Sequence, residues 1–395
     1  MTNRRVVVVG ASAAGLATAE ALRRFGHDGP LVLIGEETHP PYDRPPLSKQ
    51  LLSGAWHPDK LALTGVGDLE LRLGAEAIEL DVDARQVRLD DGSRVGYDDL
   101  VVATGARARR LPGTDGIGGV HVLRTLDDAL ALREALTAKP HLLVVGGGFV
   151  GAEAAAVARE LGCPVTLVTD IAQPMGDVLG TELGAMLAGL HREHGVVVHT
   201  GAAVEEIVHE RGRASGVRVK GGTTLEAGLI LVGIGAQPNV EWLGGSGLTL
   251  GNGVECDETL YAGHGVWAAG DVASWPDPRT GVRHRIEHRT NAGEQGIAVA
   301  RNLLAGRAAA TAFTTVPYVW SDQYDRKIQI YGSTRGADDI RVVEGSTGEG
   351  RLIALYAKNG VVSAAVGINM IRALRGYRAL VADAAPWTSV IEGAA

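Results

Sequence analysis

The glycine turn at residues 10–15 constrains this chain more than any other feature. Four valines, Val6–Val9, run straight into Gly10-Ala11-Ser12-Ala13-Ala14-Gly15. An apolar run of that length suits a strand buried on both faces of a parallel sheet. Ala17–Arg24 is rich in Ala and Leu and predicts a helix, Leu31–Gly35 predicts the next strand, and Glu36 stands at its end, 21 residues past Gly15. Strand, tight turn, helix, strand and acid is the layout of a dinucleotide-binding unit. Its helix N-terminus faces a pyrophosphate, and its acid accepts hydrogen bonds from a ribose. Ser12 stands where the pattern has its middle glycine, so the motif alone is weaker. An ordinary βαβ unit with a tight turn is the competing reading.

The pattern then recurs. His141–Val145 is an apolar strand, Gly146-Gly147-Gly148-Phe149-Val150-Gly151 is a complete GxGxxG, Ala152–Leu161 is an alanine-rich helix, and Val165–Val168 is a second strand followed by Thr169-Asp170. One such motif is weak, whereas two, each inside its own βαβ frame, imply two dinucleotides, since each unit holds one pyrophosphate. The simplest chemistry for such a pair is hydride exchange between a nicotinamide and a flavin.

A chain of 395 residues allows two or three domains, and 45% hydrophobic with 21% charged residues fits a globular enzyme. A net charge of −8 argues against a general nucleic-acid binder. Cys163 and Cys256 form no CxxC or CxxxxC pair, so neither a metal knuckle nor an adjacent redox disulfide is indicated, and both are expected buried and reduced. The apolar part of MTNRRVVVVG is too short for a signal peptide or a membrane span, which makes a cytoplasmic location the default expectation.

Between the motifs, Thr38–Gly54 carries prolines at 40, 41, 45 and 46 and predicts an irregular loop. Its cations Arg44 and Lys49 read equally well as surface charges or as groups approaching a pyrophosphate. Leu69–Asp91 predicts a strand meander turning at Asp91-Gly92. Asp99–Ala103 is a buried strand running into Thr104-Gly105-Ala106. Leu229–Gly235 leads into Ala236-Gln237-Pro238-Asn239, Gly265–Gly270 leads into Asp271, and Thr290–Leu304 predicts a helix. Beyond Ala312, short β-rich runs at Lys327–Tyr331, Ile340–Val343, Leu352–Lys358 and Val361–Val366 precede a helical Asn369–Ala382, which together predict a small α/β domain.

Beyond the two fingerprints, several segments carry a family resemblance: Pro45-Pro46-Leu47-Ser48-Lys49, Ala103-Thr104-Gly105-Ala106, Gly148–Glu153, Gly233–Asn239, Ala269-Gly270-Asp271-Val272-Ala273 and Trp320-Ser321-Asp322-Gln323-Tyr324. Along nearly its whole length the chain resembles the FAD-dependent, NAD(P)H-using ferredoxin reductases that serve bacterial oxygenases and cytochromes P450. The resemblance implies an α/β fold of glutathione-reductase-like architecture, with two Rossmann-like domains and a small C-terminal α/β domain. Its boundaries would be 1–111 with 236–312 for FAD, 112–235 for NAD(P)H and 313–395 for the last domain. It implies a ferredoxin-type iron–sulfur partner, indirectly a P450 or oxygenase, with no nucleic acid and no membrane, and a monomer or weak homodimer.

Roles follow from the resemblance position by position. Gly10, Ser12, Ala14 and Gly15 would hold FAD, with Glu36 on the adenosine ribose and the Ala77 backbone at the adenine. Arg44, Lys49, Ala103, Thr104, Gly105, Arg124, Gly270, Asp271, Arg289 and Trp320 would complete the FAD site, Asp271 taking the ribityl chain and Trp320 lying near the flavin and the docking face. Gly146, Gly148, Phe149, Val150, Gly151, Glu153, Asp170 and Gly235 would hold the nicotinamide dinucleotide. Lys49 and Glu153, paired near flavin N5, would be the catalytic residues: hydride passes from NADH to the flavin, which then gives single electrons to the partner. Each role has a plain rival. Glu153 could simply favour the dipole on a first helical turn, Asp271 could be an N-cap, and Trp320 could be a core aromatic.

Two positions depart from the family. Arg289 stands where most relatives carry an aromatic or apolar residue near the flavin. Thr169 replaces the usual strand-end glutamate, with the acid one residue later at Asp170. An acid there favours the free 2′-hydroxyl of NADH over NADPH, which wants an arginine, and Asp170–Val178 has none. The alternatives are an apoptosis-inducing-factor-like or monodehydroascorbate-reductase-like flavoprotein with another acceptor, or an NADH peroxidase or oxidase. The last depends on a redox cysteine near the flavin, and Leu47-Ser48-Lys49 offers no thiol. Arg372, Arg375 and Arg378 read as a solvated helix face or, in such a reductase, as a surface that steers an acidic ferredoxin.

Overall fold

The structure is a computed structural model that describes residues 3–65 and 67–393. Met1 and Thr2, which open the segment read above for a targeting signal, lie outside them. The chain divides into two compact units. One comprises the residues up to Asp43 with Asp59–Arg107 and Gln237–Thr315; the other comprises Arg44–Pro58, Ala108–Ala236 and the chain from Val316 onward.

In the first unit the valine strand Val6–Val9 is central. It pairs in parallel with Leu31–Gly35 on one side and Asp99–Val102 on the other. The sheet extends outward to Glu70–Leu73 at one edge and to Val266–Ala268 and Tyr261–Gly263 at the other. Every residue of the central strand is buried, as an apolar run without alternation requires. Helix Ala13–Arg24 packs on helix Arg289–Ala305 at close range: a Cβ added to Gly296 would lie 2.6 Å from the Ala14 carbonyl oxygen. The predicted meander is shorter than expected. Glu70–Leu73 joins the main sheet in parallel with Leu31–Gly35, and only Ala77–Asp81, Gln86–Leu89 and Arg94–Gly96 form the antiparallel meander.

The second unit repeats the plan. A parallel sheet in the order Val196–His199, Val165–Val168, Leu142–Val145, Leu229–Val232 and Val120–His121 carries helices Leu126–Leu136 and Phe149–Glu160. Thr125 opens the first of these with a capping box, its hydroxyl accepting from the Asp128 amide while the Asp128 carboxylate accepts from the Thr125 amide. An antiparallel sheet of five strands follows, in the order Tyr318–Gln323, Arg326–Gly332, Val361–Ile368, Arg351–Lys358 and Asp339–Ser346. The four β-rich runs read from the sequence are all strands here, and the Trp320 segment supplies a fifth. The expected helix at Asn369–Ala382 is broken into Ile371–Leu374, a tight turn at Arg375–Tyr377, and Arg378–Ala382.

Candidate active site

In each fingerprint, backbone approaches backbone so closely that only glycine fits. Gly10 has φ +119°, and a Cβ there would sit 2.1 Å from the Ala103 carbonyl oxygen; one on Gly15 would sit 1.9 Å from the Gly10 oxygen. In the second unit, a Cβ on Gly146 would lie 2.2 Å from the Gly233 oxygen, and one on Gly151 would lie 2.5 Å from the Gly146 oxygen. Gly148 is different: a Cβ there would meet nothing within 4 Å. This residue caps the N-terminus of helix Phe149–Glu160, whose first amides have no intrahelical acceptor. Open space before unpaired donors is what an anionic pyrophosphate needs.

The sheet registers resolve the Thr169 departure. Val9 pairs with Ile34 and Val145 with Val168, so Gly35 stands opposite Gly10 and Thr169 opposite Gly146. Gly35 and Thr169 each pack against the second residue of their glycine turn. A Cβ on Gly35 would meet the Ala11 methyl at 2.7 Å, and a Cβ on Gly147 would meet the Thr169 hydroxyl at 3.0 Å. Bulk has moved from turn to strand. The exposed acids that follow, Glu36 and Asp170, therefore occupy equivalent places, and Thr169 corresponds to Gly35 rather than to the acid.

Around the first fingerprint, Ala14 meets Gly270, whose φ is +80° and whose amide donates to Gln295 Oε1 at 2.7 Å. Asp271 lies half-buried in the tight turn Gly270–Val272, inside the turn rather than capping a helix. The Thr104 hydroxyl donates to the Asn239 carbonyl at 2.8 Å, the Asn239 side-chain amide donates to the Thr104 carbonyl, and the Asn239 backbone amide donates to the Gly105 carbonyl. Ala77 opens the meander, half-buried. Arg289 is the first residue of its helix and pairs with Asp43. Gln295 Nε2 and Asn291 Oδ1 are buried without a hydrogen-bond partner, a donor and an acceptor left over on the helix that packs against the fingerprint. Polar groups so buried are normally satisfied. A polar cofactor with ring and hydroxyl groups would meet both needs, so these residues fit FAD. Neither was singled out from sequence, where each is one amide in a helical run.

In the second unit, Arg44 donates to the Arg124 carbonyl at 2.7 Å, and Arg124 precedes the capping box. The PPLS segment forms a tight turn, Pro45–Ser48, that delivers two donors to one carboxylate. Lys49 Nζ lies 2.7 Å and Ser48 Oγ 2.5 Å from Glu153 Oε2, while Ser321 Oγ donates to Oε1 at 2.7 Å. Lys49 is 9% exposed and Glu153 3%. Glu153 is the fifth residue of its helix, beyond the first turn, so the helix dipole does not account for it. Burying a charge pair is costly unless further hydrogen bonds complete it, and the two serines do so. Ser48 and Ser321 were legible only as letters of a motif.

Val150 is 38% exposed beside the open Gly148, and Phe149 packs partly into the core. Gly235, with φ +94°, accepts from the Arg109 amide. Trp320 is half-buried and stacks on Tyr318 with ring centroids 5.9 Å apart, so it is not a core aromatic. Arg372, Arg375 and Arg378 are exposed. Cys163 and Cys256 are buried free thiols, and burial pushes Cys256 up to about 12.

Two glycine cradles, each with an acid at the following strand end, define a protein built for two dinucleotides. Residues 4–296 match the pyridine nucleotide-disulphide oxidoreductase family and residues 318–391 match a reductase C-terminal domain. The chain belongs to the pyridine nucleotide-disulphide oxidoreductase family. It is 37% identical to a rhodocoxin reductase of Rhodococcus erythropolis, over 87% of this chain and 82% of that one. It is 33% identical to a putidaredoxin reductase of Pseudomonas putida, over 97% and 93% of the two chains. Among solved structures it matches that of a covalent putidaredoxin reductase–putidaredoxin complex with a TM-score of 0.92 at 32% identity, covering 98% of this chain and 94% of that one.

Proposed function

We propose that this protein is an NADH-dependent flavoprotein reductase that passes electrons to a ferredoxin-type iron–sulfur protein serving a P450 or another oxygenase. The pair of glycine cradles carries the reading, and the relatives' names supply the acceptor class. Bound FAD would supply the chemistry of hydride acceptance from a nicotinamide and of single-electron release. The chain's part is to bind, orient and stabilise. The cradle of Gly10 and Gly15, with Glu36, Ala77, Thr104, Asp271 and Arg289, would hold FAD, in a domain formed by residues 1–111 and 236–312. The cradle of Gly146 to Gly151, with Asp170 and Gly235, would hold the nicotinamide dinucleotide in residues 112–235. Lys49, fixed by Glu153, would supply the cation that stabilises charge gained by the flavin on reduction.

Three exposed arginines, Arg372, Arg375 and Arg378, are the proposed steering surface for an acidic ferredoxin, since local charge steers partners even on an acidic chain. The test is a visible spectrum of the purified protein, titrated with NADH and NADPH and then supplied with a plant-type ferredoxin and cytochrome c. Flavin absorbance bleached by NADH, with ferredoxin-dependent cytochrome c reduction that falls as salt rises, is the expected result. A colourless protein, or bleaching without electron transfer to any ferredoxin, refutes it and favours the reading with another acceptor.

A further inference from the structure

The Glu153 carboxylate is the end of a longer buried chain. Ser321 Oγ lies 2.7 Å from Glu153 Oε1, Gln323 Nε2 lies 3.2 Å from Ser321 Oγ, His191 Nε2 lies 3.2 Å from Gln323 Oε1, and Tyr324 Oη lies 3.0 Å from His191 Nδ1. Ser321, Gln323 and His191 are each fully buried. The direction of the first three bonds follows from the carboxylate, which when ionised only accepts. Ser321 must therefore donate to it, and the serine oxygen is left to accept from the Gln323 amide. That fixes the Gln323 carbonyl toward His191, which must carry its proton on Nε2. Burial lowers His191 to about 4, which keeps the imidazole neutral and makes Nδ1 the acceptor of the Tyr324 hydroxyl. Tyr324 is held in turn by stacking on His194, with ring centroids 3.7 Å apart.

We propose that Tyr324, His191, Gln323 and Ser321 form a one-way chain of hydrogen bonds that positions the Glu153 carboxylate, and through it the Lys49 ammonium, in a single orientation for hydride transfer. The inference rests on the role given to Lys49 and Glu153 above. These four are positioning residues, whereas Lys49 and Glu153 are placed at the chemistry. Polarised chains of this kind strengthen each member bond, and a carboxylate fully satisfied by fixed donors has no alternative rotamer to visit. Nothing in a Trp-Ser-Asp-Gln-Tyr segment read alone announces this, because alternation along strand Tyr318–Gln323 is what puts Ser321 and Gln323 on one face.

The test has two arms. In the holoenzyme, Ser321→Ala and Gln323→Met break the chain without adding charge. Each is expected to slow flavin reduction by NADH by about 10- to 100-fold, the upper figure being the cost of misplacing a reacting group by about 1 Å, with FAD content and NAD⁺ affinity unchanged. His191→Met should do the same, and His191→Gln, which keeps a donor at the Nε2 position, should restore most of the rate. In the second arm, ¹⁵N-histidine NMR of the wild type, assigned by loss of a signal in His191→Gln, should show an Nε2–H imidazole that stays neutral from pH 8 to pH 5. Glu153→Gln is the control for the underlying role. If it leaves flavin reduction unchanged, that role fails. If it slows reduction while Ser321→Ala and Gln323→Met do not, the positioning chain alone fails. If the chain-breaking variants do not fold, the NMR decides, and an Nδ1–H tautomer overturns the proposal.

Discussion

The two kinds of glycine in the fingerprints should respond oppositely to alanine. At Gly15 an added methyl would lie 1.9 Å from the Gly10 carbonyl oxygen, deep inside contact with backbone that cannot swing away. Helix Ala13–Arg24 must then lift from strand Val6–Val9, and overpacking of that kind costs about 3 kcal/mol. For a unit of this size the loss corresponds to a fall in Tm of roughly 6–12 °C. Because the helix start moves, FAD should be lost as well. At Gly148 the backbone is unstrained at φ −81° and the added methyl meets open space. Gly148→Ala should cost about 1 kcal/mol or less, mostly as a poorer N-cap. Its methyl would instead occupy the space proposed for pyrophosphate, weakening NADH binding tenfold or more, which is about 1.4 kcal/mol. The assay is differential scanning calorimetry with flavin quantitation, followed by NADH titration of flavin reduction. A Gly15→Ala protein that keeps full FAD and melts within about 2 °C of wild type would refute the steric reasoning. Unchanged NADH affinity in Gly148→Ala would refute the location of the second dinucleotide.

Lys49→Met and Glu153→Gln should each slow flavin reduction, and Lys49→Met should destabilise by about 3–5 kcal/mol because it strands a buried carboxylate. The double variant should lose less than the sum of the two, and additive losses in stopped-flow reduction would show that the side chains do not act together. NADH should exceed NADPH by at least about tenfold in kcat/KM, with Asp170→Ala narrowing the gap; equal use by the wild type would contradict the register argument for Asp170. Acid should destabilise the fold through His191. Its native value of about 4, against 6.5 unfolded, means the unfolded state binds more protons between those limits, so stability falls as pH drops through that window. The loss between pH 8 and pH 5 is about 2 kcal/mol, read from urea midpoints, and His191→Gln should remove it. Parallel pH curves for the two proteins would refute it.

Much of the fold was legible because its signals are local. Val6–Val9 and Leu142–Val145 are apolar without alternation and end in glycines that nothing else can replace, so strand, turn and helix follow within a few residues. The misreadings have a common physical origin. Glu70–Leu73 alternates enough to pass for a meander strand, and only its pairing with Leu31–Gly35 shows otherwise. The single-residue offset at Thr169 looked like a lost acid because letters were matched by counting. Register, which is a property of the sheet, aligns Asp170 with Glu36. Lys49 and Glu153 were tied together only through family resemblance, being separated by more than a hundred residues. Ser48, Ser321, Gln295 and Asn291 could not be ranked at all, since a buried polar side chain looks in sequence like an exposed one.

The turn at Pro45–Ser48 has a consequence for temperature. Two adjacent prolines have little backbone freedom to lose on folding, and the Arg44 side chain ties the start of the turn to the Arg124 carbonyl. A free lysine side chain carries up to about 2 kcal/mol of rotamer entropy. Here that entropy is surrendered once, when the chain folds, because Lys49 and Ser48 leave a stiff backbone and converge on a single carboxylate oxygen. A cation ordered before the substrate arrives has little left to organise during turnover. The entropy of activation should therefore become more negative, toward the value for a flexible cation, when the stiffness is removed at Pro46, even though no atom that meets the substrate has changed.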